Sequence, residues 1–256
     1  MSFISTRAVS MPVSPIRRLI PFADAALKQG RTVYHLNIGD PDIKSPDVMI
    51  ETLQKWNQNP IPYSHSKGQK ELIDALISYY QKLHYSLEPQ HIQVTIGGSE
   101  AIVWAMLILC NPADEILVFE PFYANYASYA TISQVTLVPV PTSIKNGFHL
   151  PVVSEIEKRI TSKTKAILIC SPNNPTGTVL SESEMQTIVE VAKKHNLFVL
   201  SDEVYREFAY GETKTSSLLK FAKDSMKEKI VILDSCPNAI VCVGRALALL
   251  FRITRI

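Results

Sequence analysis

Short apolar segments alternate with helical segments over residues 92–235, and this alternation restricts the possible folds more than any other feature. The apolar runs IQVTI, EILVF, VTLVPV, KAILICS, FVLSD and KIVILDS are typical of buried strands. Apolar strands that alternate with helices predict a mostly parallel sheet covered on both faces. The expected fold class is therefore α/β, a three-layer sandwich around a mostly parallel mixed sheet.

Local patterns predict the helices that would cover this sheet. A helix that begins at Lys67 carries an apolar stripe, and SEAIVWAMLIL is typical of a buried helix. Residues 181–195 predict an amphipathic helix that opens with a capping box of Ser181 and Glu184. A short charged helix is expected around residues 153–160. Four prolines in residues 1–45 leave room for only one short helix there, between positions 14 and 30.

The composition excludes several function classes. With 26 Lys+Arg, 24 Asp+Glu and 46% hydrophobic residues, the chain is neither a disordered tail nor a polybasic nucleic-acid arm. It has no secretory signal pattern and no apolar run near the roughly 20 residues that cross a bilayer. The four cysteines lack paired spacing, and Cys110 and Cys170 end apolar runs, so a buried reduced thiol rather than a metal ligand or disulfide is expected at these two. We therefore expect a cytoplasmic protein with no nucleic-acid or membrane partner.

Three stretches at expected strand ends could bind a ligand, because ligands of such sheets lie beyond the carboxyl ends of the strands. Residues 97–100, GGSE, precede a helix whose free N–H groups suit a phosphate, although they also form an ordinary turn and N-cap. Residues 171–177, SPNNPTG, are typical of a turn-rich loop. Asp202 ends an apolar run, where it either needs a cationic partner, such as a protonated ring nitrogen, or caps the next segment.

The order and spacing of these stretches resemble the fold-type I, pyridoxal-phosphate-dependent aminotransferases of class I/II, of the aspartate aminotransferase type. The matching segments are NIGDPDI, YSHSKGQKEL, VTIGGSEAI, EPFYANY, SPNNPTG, SDEVYREF and ILDS. SPNNPTG followed downstream by SDEVY is the most specific part of the match. The resemblance implies amino-group transfer between an amino acid and a 2-oxo acid, pyridoxal 5'-phosphate as cofactor, and a homodimer.

The resemblance first implies a set of phosphate-binding residues. Gly98, Ser99 and Glu100 would hold the cofactor phosphate at a helix N-terminus. Ser235 would add a hydroxyl to the same phosphate. Tyr63 would reach the phosphate of a cofactor bound to the neighbouring subunit.

The resemblance also implies contacts to the cofactor ring and to the substrate. Tyr123 would stack on the pyridine ring, and Asn174 and Tyr205 would hydrogen-bond its phenolic oxygen. Asp202 would pair with the ring nitrogen and keep it protonated, so that the ring accepts electrons. Gly39 would approach the substrate carboxylate through its backbone.

The central residue of the family mechanism differs in this chain. The family pattern at this point is D-S-x-S-K, and its lysine forms the Schiff base with the cofactor and moves the substrate proton. Here residues 234–238 are DSCPN, so Asn238 stands at the lysine position. An amide can neither form an imine nor take up that proton. The sequence therefore predicts no catalytic residue at this position and an inactive chain.

We interpret Asn238 as the result of a change of reading frame near codon 236. If each codon takes the third base of one residue and the first two of the next, residues 236–237 give TCC, serine, and residues 237–238 give NAA, which can encode lysine. The recovered string can be DSVSKRYSxCGARIG, which resembles the family's lysine segment. The opposite frame gives AYG at Asn238, which encodes only threonine or methionine.

The resemblance divides the chain into three parts. Residues 1–45 would be an N-terminal arm with part of a small domain, and residues 46–235 an incomplete cofactor-binding large domain. Residues 236–256 would be an out-of-frame tail, and the family's substrate-binding arginine would lie beyond the end of the chain. Three functions remain open: an active aminotransferase, a truncated remnant, and a non-catalytic cofactor-binding or regulatory protein on the same scaffold.

We expect resequencing of the DNA around codon 236 to show a gained or lost base that restores a lysine codon at position 238. The reason is that the shifted frame recovers, besides the lysine, several other residues that the family carries at the same distances from that lysine. An unbroken frame in repeated independent reads would show that Asn238 is genuine divergence.

Overall fold

The computed structural model describes residues 3–37, 39 and 43–235, together with the backbone of residues 247–249. The α-helices of these ranges are α1 (Thr6–Ser10), α2 (Ile20–Lys28), α3 (Asp47–Gln54), α4 (Lys70–Lys82), α5 (Gly98–Leu109), α6 (Asn125–Ser133), α7 (Val153–Glu157) and α8 (Glu182–Lys194). The strands are β1 (Val94–Ile96), β2 (Glu115–Glu120), β3 (Thr136–Pro141), β4 (Thr164–Cys170), β5 (Phe198–Asp202), β6 (Ile230–Leu233) and β7 (Leu247–Leu249).

Five of these strands form one parallel sheet in the order β3-β2-β4-β5-β6. β1 and β7 pair with each other in antiparallel fashion, with Val94 opposite Leu249. The α/β class with a mostly parallel sheet is confirmed. Because β5 lies between β4 and β6, Asp202 is in register with Cys170 on one side and with Leu233 on the other.

Apolar side chains of the strands alternate between two cores, one on each face of the sheet. Ile167 and Val199 point to the face that packs against α4 and α8. Leu168 and Leu200 point to the opposite face, against α5 and α6. Complete burial of one such side chain contributes about 1.5–3 kcal/mol, and this packing produces the predicted three-layer sandwich.

The predicted helices are present, and three of them differ in detail. The segment SEAIVWAMLIL, predicted as a buried helix, buries only one face, because Trp104, Leu107 and Ile108 of α5 are exposed. The helix expected from Lys67 begins at Lys70, because the carbonyl of Lys67 accepts the N–H of Val94 and the preceding segment is extended. Gly68 adopts φ +116° there, and a Cβ would lie 2.5 Å from Cγ2 of Val94, so only glycine fits this approach. The charged helix α7 ends at Glu157, before the expected residue 160.

The prediction of only one short helix within residues 1–45 is wrong. The structure forms both α1 and α2, and the Ser5 hydroxyl caps α1 by accepting the N–H of Ala8 at 3.2 Å. None of α1, α2 and α3 contains a buried residue. Many apolar side chains before α4 are largely exposed, among them Phe3, Phe22, Leu36 and Trp56.

Cys110 is buried, as expected, whereas Cys170 is only partly buried. Cys110 and Cys170 are free, and burial raises the pKa of the Cys110 thiol to about 11, which keeps it neutral. Cys236 and Cys242 lie outside the described residues. In the ranges that the structure covers, no helix has both the length and the apolar character needed to cross a membrane.

The capping box of α8 yields a stability prediction. The Ser181 hydroxyl accepts the N–H of Glu184 at 3.2 Å, and the Glu184 carboxylate accepts the N–H groups of Ser181 and Leu150. We expect Ser181→Ala to lower the free energy of unfolding by about 1 kcal/mol in urea denaturation. Ser154→Ala, the same change at an exposed position of α7, is the control. Equal effects of the two substitutions would contradict the prediction.

Candidate active site

A buried carboxylate lies at the carboxyl edge of the parallel sheet. Asp202 ends β5 and is 4% exposed. Its Oδ2 accepts the hydroxyl of Tyr126, which α6 holds 1% exposed, and its Oδ1 accepts the N–H of Val204 at 3.3 Å. Within the described part of the chain, no cationic side chain forms an ion pair with Asp202. The site therefore holds a buried carboxyl group that has two hydrogen-bond donors and no paired cation.

The environment of Asp202 shifts its titration toward neutral pH. Burial raises the pKa of this carboxyl to about 6, because a charge is costly to hold away from water. The donors Tyr126 and Val204 oppose the rise, while the neighbouring carboxylates of Asp234 and Glu203 add to it. A cation placed against Asp202 would relieve this cost, and a protonated ring nitrogen is such a cation.

Two side chains from neighbouring loops meet beside this carboxylate. Asn174, which follows β4, donates its amide to the hydroxyl of Tyr205, which follows β5, at 3.3 Å. The adjacent Asn173 anchors the loop, since its amide donates to the carbonyl of Pro121 at 3.1 Å and to Thr176 at 2.8 Å. The loop after β4 is thereby tied to the end of β2. Amide and phenol together form a polar pair that can bind an oxygen of a ligand.

The N-terminus of α5 supplies an anion-binding element. Gly97 precedes the helix at φ +100°, and the first-turn N–H groups of Gly98, Ser99 and Glu100 have no acceptor within the helix by geometry. The Glu100 carboxylate turns back and accepts the N–H of Ile96 at 2.6 Å. Glu100 can therefore serve an anion through its backbone only.

The helix N-terminus lies close to the buried carboxylate. A Cβ at Gly98 would lie 3.8 Å from Cγ1 of Val204, the residue whose N–H donates to Asp202. The Ser99 hydroxyl and the Tyr129 hydroxyl share a hydrogen bond of 2.6 Å. The anion-binding end of α5 and the carboxyl edge of β5 thus belong to one site.

Aromatic side chains of the segment around α6 border the site. Tyr123 is partly buried and packs edge-to-face on Tyr126, with ring centroids 5.4 Å apart. Its hydroxyl accepts the amide of Asn125 at 2.7 Å, and burial raises its pKa to about 12. Tyr123 therefore presents a neutral, anchored ring next to the partner of Asp202.

The predicted site residues fall into two groups. The structure brings together Gly98, Ser99, Glu100, Tyr123, Asn174, Asp202, Tyr205 and Ser235 around the carboxyl edge of β4, β5 and β6. Tyr63 is fully exposed and Gly39 is exposed, so the roles that the resemblance implies for them stay predictions. Asn238 lies outside the described residues.

Sequence reasoning missed two tyrosines that contact the predicted site residues. Tyr126 binds Asp202, and Tyr129 binds Ser99. Their spacing was a usable signal, because Tyr126 and Tyr129 are three residues apart and lie on neighbouring turns of α6. No apolar stripe marks α6, so the helix that carries them was not predicted.

The donor set fits pyridoxal 5'-phosphate. The unpaired carboxylate of Asp202 matches a protonated pyridine nitrogen, and the pair of Asn174 and Tyr205 matches a phenolic oxygen. The free N–H groups of α5 and the hydroxyl of Ser235 match a phosphate. The fit rests on the unbalanced buried carboxylate, which a ligand without a cation would leave unpaired.

Comparison with known proteins agrees with this fit. Residues 31–249 match the profile of the family "Aminotransferase class I and II". The aspartate aminotransferase of Thermotoga maritima is 32% identical over 84% of this chain and 57% of its own length. A putative aminotransferase of Bacillus subtilis is 34% identical over 95% of this chain and 62% of its own length.

The fold is also similar to solved aminotransferase structures. A double mutant of the Thermus thermophilus aspartate aminotransferase superimposes with a TM-score of 0.89 at 26% identity. The Thermotoga maritima aspartate aminotransferase superimposes with a TM-score of 0.88 at 30% identity. The two alignments cover 98% and 97% of this chain, and 65% and 66% of those chains. The chain thus spans about three fifths of the length of the relatives it matches.

The unpaired state of Asp202 predicts a gain in stability when its charge is removed. Since the folded-state pKa is raised from 3.8 to about 6, the wild-type protein loses stability as the pH rises through this window. We expect Asp202→Asn to raise the free energy of unfolding of the cofactor-free protein by about 3 kcal/mol at pH 8, at about 1.4 kcal/mol for each pKa unit. The difference should shrink toward zero at pH 4.

Urea denaturation at both pH values measures this effect. Asp74→Asn, which removes an exposed carboxylate from α4, is the matched control and should show no comparable gain. A variant Asp202→Asn that is no more stable than wild type at pH 8 would show that the carboxylate already has a cationic partner.

Proposed function

Because the chain belongs to the class I and II aminotransferase family, whose members typically depend on pyridoxal 5'-phosphate, we propose that its site binds this cofactor and serves amino-group transfer between an amino acid and a 2-oxo acid. The observation that carries the proposal is Asp202, a buried carboxylate without a paired cation at the carboxyl edge of the sheet. The complementary cation is the protonated ring nitrogen of the cofactor. When bound, the cofactor would supply the electron-accepting ring that such a transfer requires.

We assign each binding role to a residue of this chain. Asp202 would hold the ring nitrogen protonated, and Tyr126 would orient the carboxylate by its hydrogen bond. Asn174 and Tyr205 would bind the phenolic oxygen, and Tyr123 would cover the ring. These residues would orient the ring and would exclude water from the surroundings of its nitrogen.

The phosphate would bind at the N-terminus of α5. Gly98, Ser99 and Glu100 would donate backbone N–H groups, where the dipole of α5 favours an anion. Ser235, only 6% exposed at the end of β6, would add its hydroxyl. Gly39 would contact the substrate carboxylate through its backbone.

Proton transfer at the substrate carbon needs a base that the described residues do not place at the site. In the family pattern this base is a lysine at the position of Asn238, and an amide cannot accept that proton. We therefore propose that this chain binds cofactor and substrate without turnover. The second candidate function, a non-catalytic cofactor-binding or regulatory protein, is favoured by the same asparagine.

Two further parts of the proposal concern partners and location. Tyr63 is fully exposed, so its role at the phosphate of a neighbouring subunit requires a homodimer, as the resemblance implies. The apolar side chains exposed before α4 support a protein partner for this segment. A cytoplasmic location is part of the same proposal, as are the amino acid and 2-oxo acid substrates.

Binding of pyridoxamine 5'-phosphate tests the cofactor site directly, because this form has no aldehyde that could react with surface lysines. We expect one equivalent to bind in equilibrium dialysis, and Asp202→Asn to weaken binding at least about tenfold, since a charge-assisted hydrogen bond is lost. Asp74→Asn is the control and should bind like wild type.

Turnover and borohydride treatment separate the two candidate functions. With pyridoxal 5'-phosphate, we expect no amino-group transfer, and we expect borohydride treatment to leave no reduced cofactor concentrated on one specific lysine. Retention of a reduced cofactor on one specific lysine, together with turnover, would show that another residue replaces the missing base.

A further inference from the structure

A cluster of buried charged and phenolic side chains lies directly behind the phosphate-binding end of β6. We call Tyr80, Glu203, Arg206 and Asp234 the Arg206 cluster. Their exposed fractions are 0%, 1%, 7% and 8%. Nη1 of Arg206 donates to Glu203 at 2.7 Å, and Nη2 donates to Oδ2 of Asp234. One guanidinium thus joins two carboxylates that directly follow different strands of the sheet, β5 and β6.

The carboxylate of Asp234 links this guanidinium to Ser235 through hydrogen bonds. Oδ2 of Asp234 accepts both Arg206 and the Tyr80 hydroxyl, the latter at 2.6 Å. Oδ1 accepts the N–H of Ser235 at 2.7 Å. Because both oxygens are engaged, the carboxylate plane is fixed, and the backbone N–H of Ser235 is held with it.

The other end of the cluster is equally anchored. Oε1 of Glu203 accepts the Ser201 hydroxyl and the N–H of Leu218, both at 2.9 Å. The N–H of Glu203 donates to the carbonyl of Leu233 at 2.8 Å. The guanidinium lies 5.1 Å from the ring centroid of Tyr80, so α4 supports it from the far side. The cluster therefore connects α4, the end of β5 and the end of β6.

Stability alone does not account for such an arrangement. Replacing a buried ion pair by apolar side chains is often neutral or stabilising, because the pair must be removed from water. An ionic cluster fixes the orientation of its side chains more strictly than apolar packing does, because the hydrogen bonds from a guanidinium to a carboxylate are directional. Among the predicted site residues, Ser235 is the one whose backbone N–H a described member of the cluster accepts directly.

We propose that Arg206 and Tyr80 are positioning residues for the phosphate site, which they act on through Asp234 and Ser235. The inference rests on the proposed cofactor binding and adds to it residues that touch neither cofactor nor substrate. The cluster sets the position of the Ser235 hydroxyl relative to the N-terminus of α5. The side-chain hydrogen bonds of Asp202, Asn174 and Tyr205 involve no member of the cluster.

Two ligands that differ only in the phosphate test this inference: pyridoxamine 5'-phosphate and pyridoxamine. We expect Tyr80→Phe to weaken binding of the phosphorylated ligand about fivefold to tenfold, as for the loss of one hydrogen bond. Binding of pyridoxamine should stay unchanged, because the ring contacts remain. Arg206→Lys keeps the positive charge but cannot donate to both carboxylates as the planar guanidinium does. It should therefore weaken binding of the phosphorylated ligand selectively as well.

Tyr85→Phe is the matched control, because it removes a hydroxyl from the same packing layer without touching Asp234. It should bind both ligands like wild type. Equal losses for the two ligands in Tyr80→Phe, or no loss in either, would overturn the inference. Arg206→Ala is unsuitable, because it would leave two buried carboxylates unpaired.

Amide hydrogen exchange of Ser235 provides a readout that needs no ligand. We expect exchange to be about tenfold faster in Tyr80→Phe than in wild type and unchanged in Tyr85→Phe. If wild type binds neither ligand, the proposed function fails, and exchange alone then decides the positioning role. Unaltered exchange in Tyr80→Phe would overturn that role.

Discussion

The parallel register of β4, β5 and β6 is the constraint on which the rest of the site depends. Cys170, Asp202 and Leu233 end their strands side by side, so the chain leaves the sheet at three adjacent points. Each of these exits carries part of the site: the SPNNPTG loop, the turn at Val204 and the pair of Asp234 and Ser235. A slip of one residue in β5 would turn Asp202 to the opposite face and separate it from Tyr126.

The charges at this edge favour a ligand that carries both signs. Among the described residues, the carboxylates of Asp202, Glu203 and Asp234 are buried, and Arg206 carries the buried guanidinium. Arg206 pairs with Glu203 and Asp234. Asp202 has no such partner, and burial raises its pKa to about 6. A cation is therefore favoured at Asp202 and an anion at the N-terminus of α5, and a ligand with both charges can occupy both positions.

Prediction from sequence succeeded where the determining interactions are local and failed where they are distant. The capping box of Ser181 and Glu184 and the apolar strands depend on neighbours in the chain, so their patterns were readable. Asp202 was readable as a buried acid, because an apolar run ends there. Its partner Tyr126 and the role of Arg206 depend on contacts across 76 and 28 residues. No local pattern encodes such distances, and α6 lacks the apolar stripe that would have revealed it.

The exposed apolar side chains before α4 have a consequence for the life of the chain in a cell. Phe3, Phe22, Leu36 and Trp56 would meet water in a separate copy, and water solvates such surface poorly. If the proposed homodimer buries this surface, association of two copies would compete with chaperone capture and proteolysis of each single copy. The amount of protein that accumulates would then depend on the rate of its own synthesis more steeply than in proportion, because pairing is second order in concentration while degradation is first order.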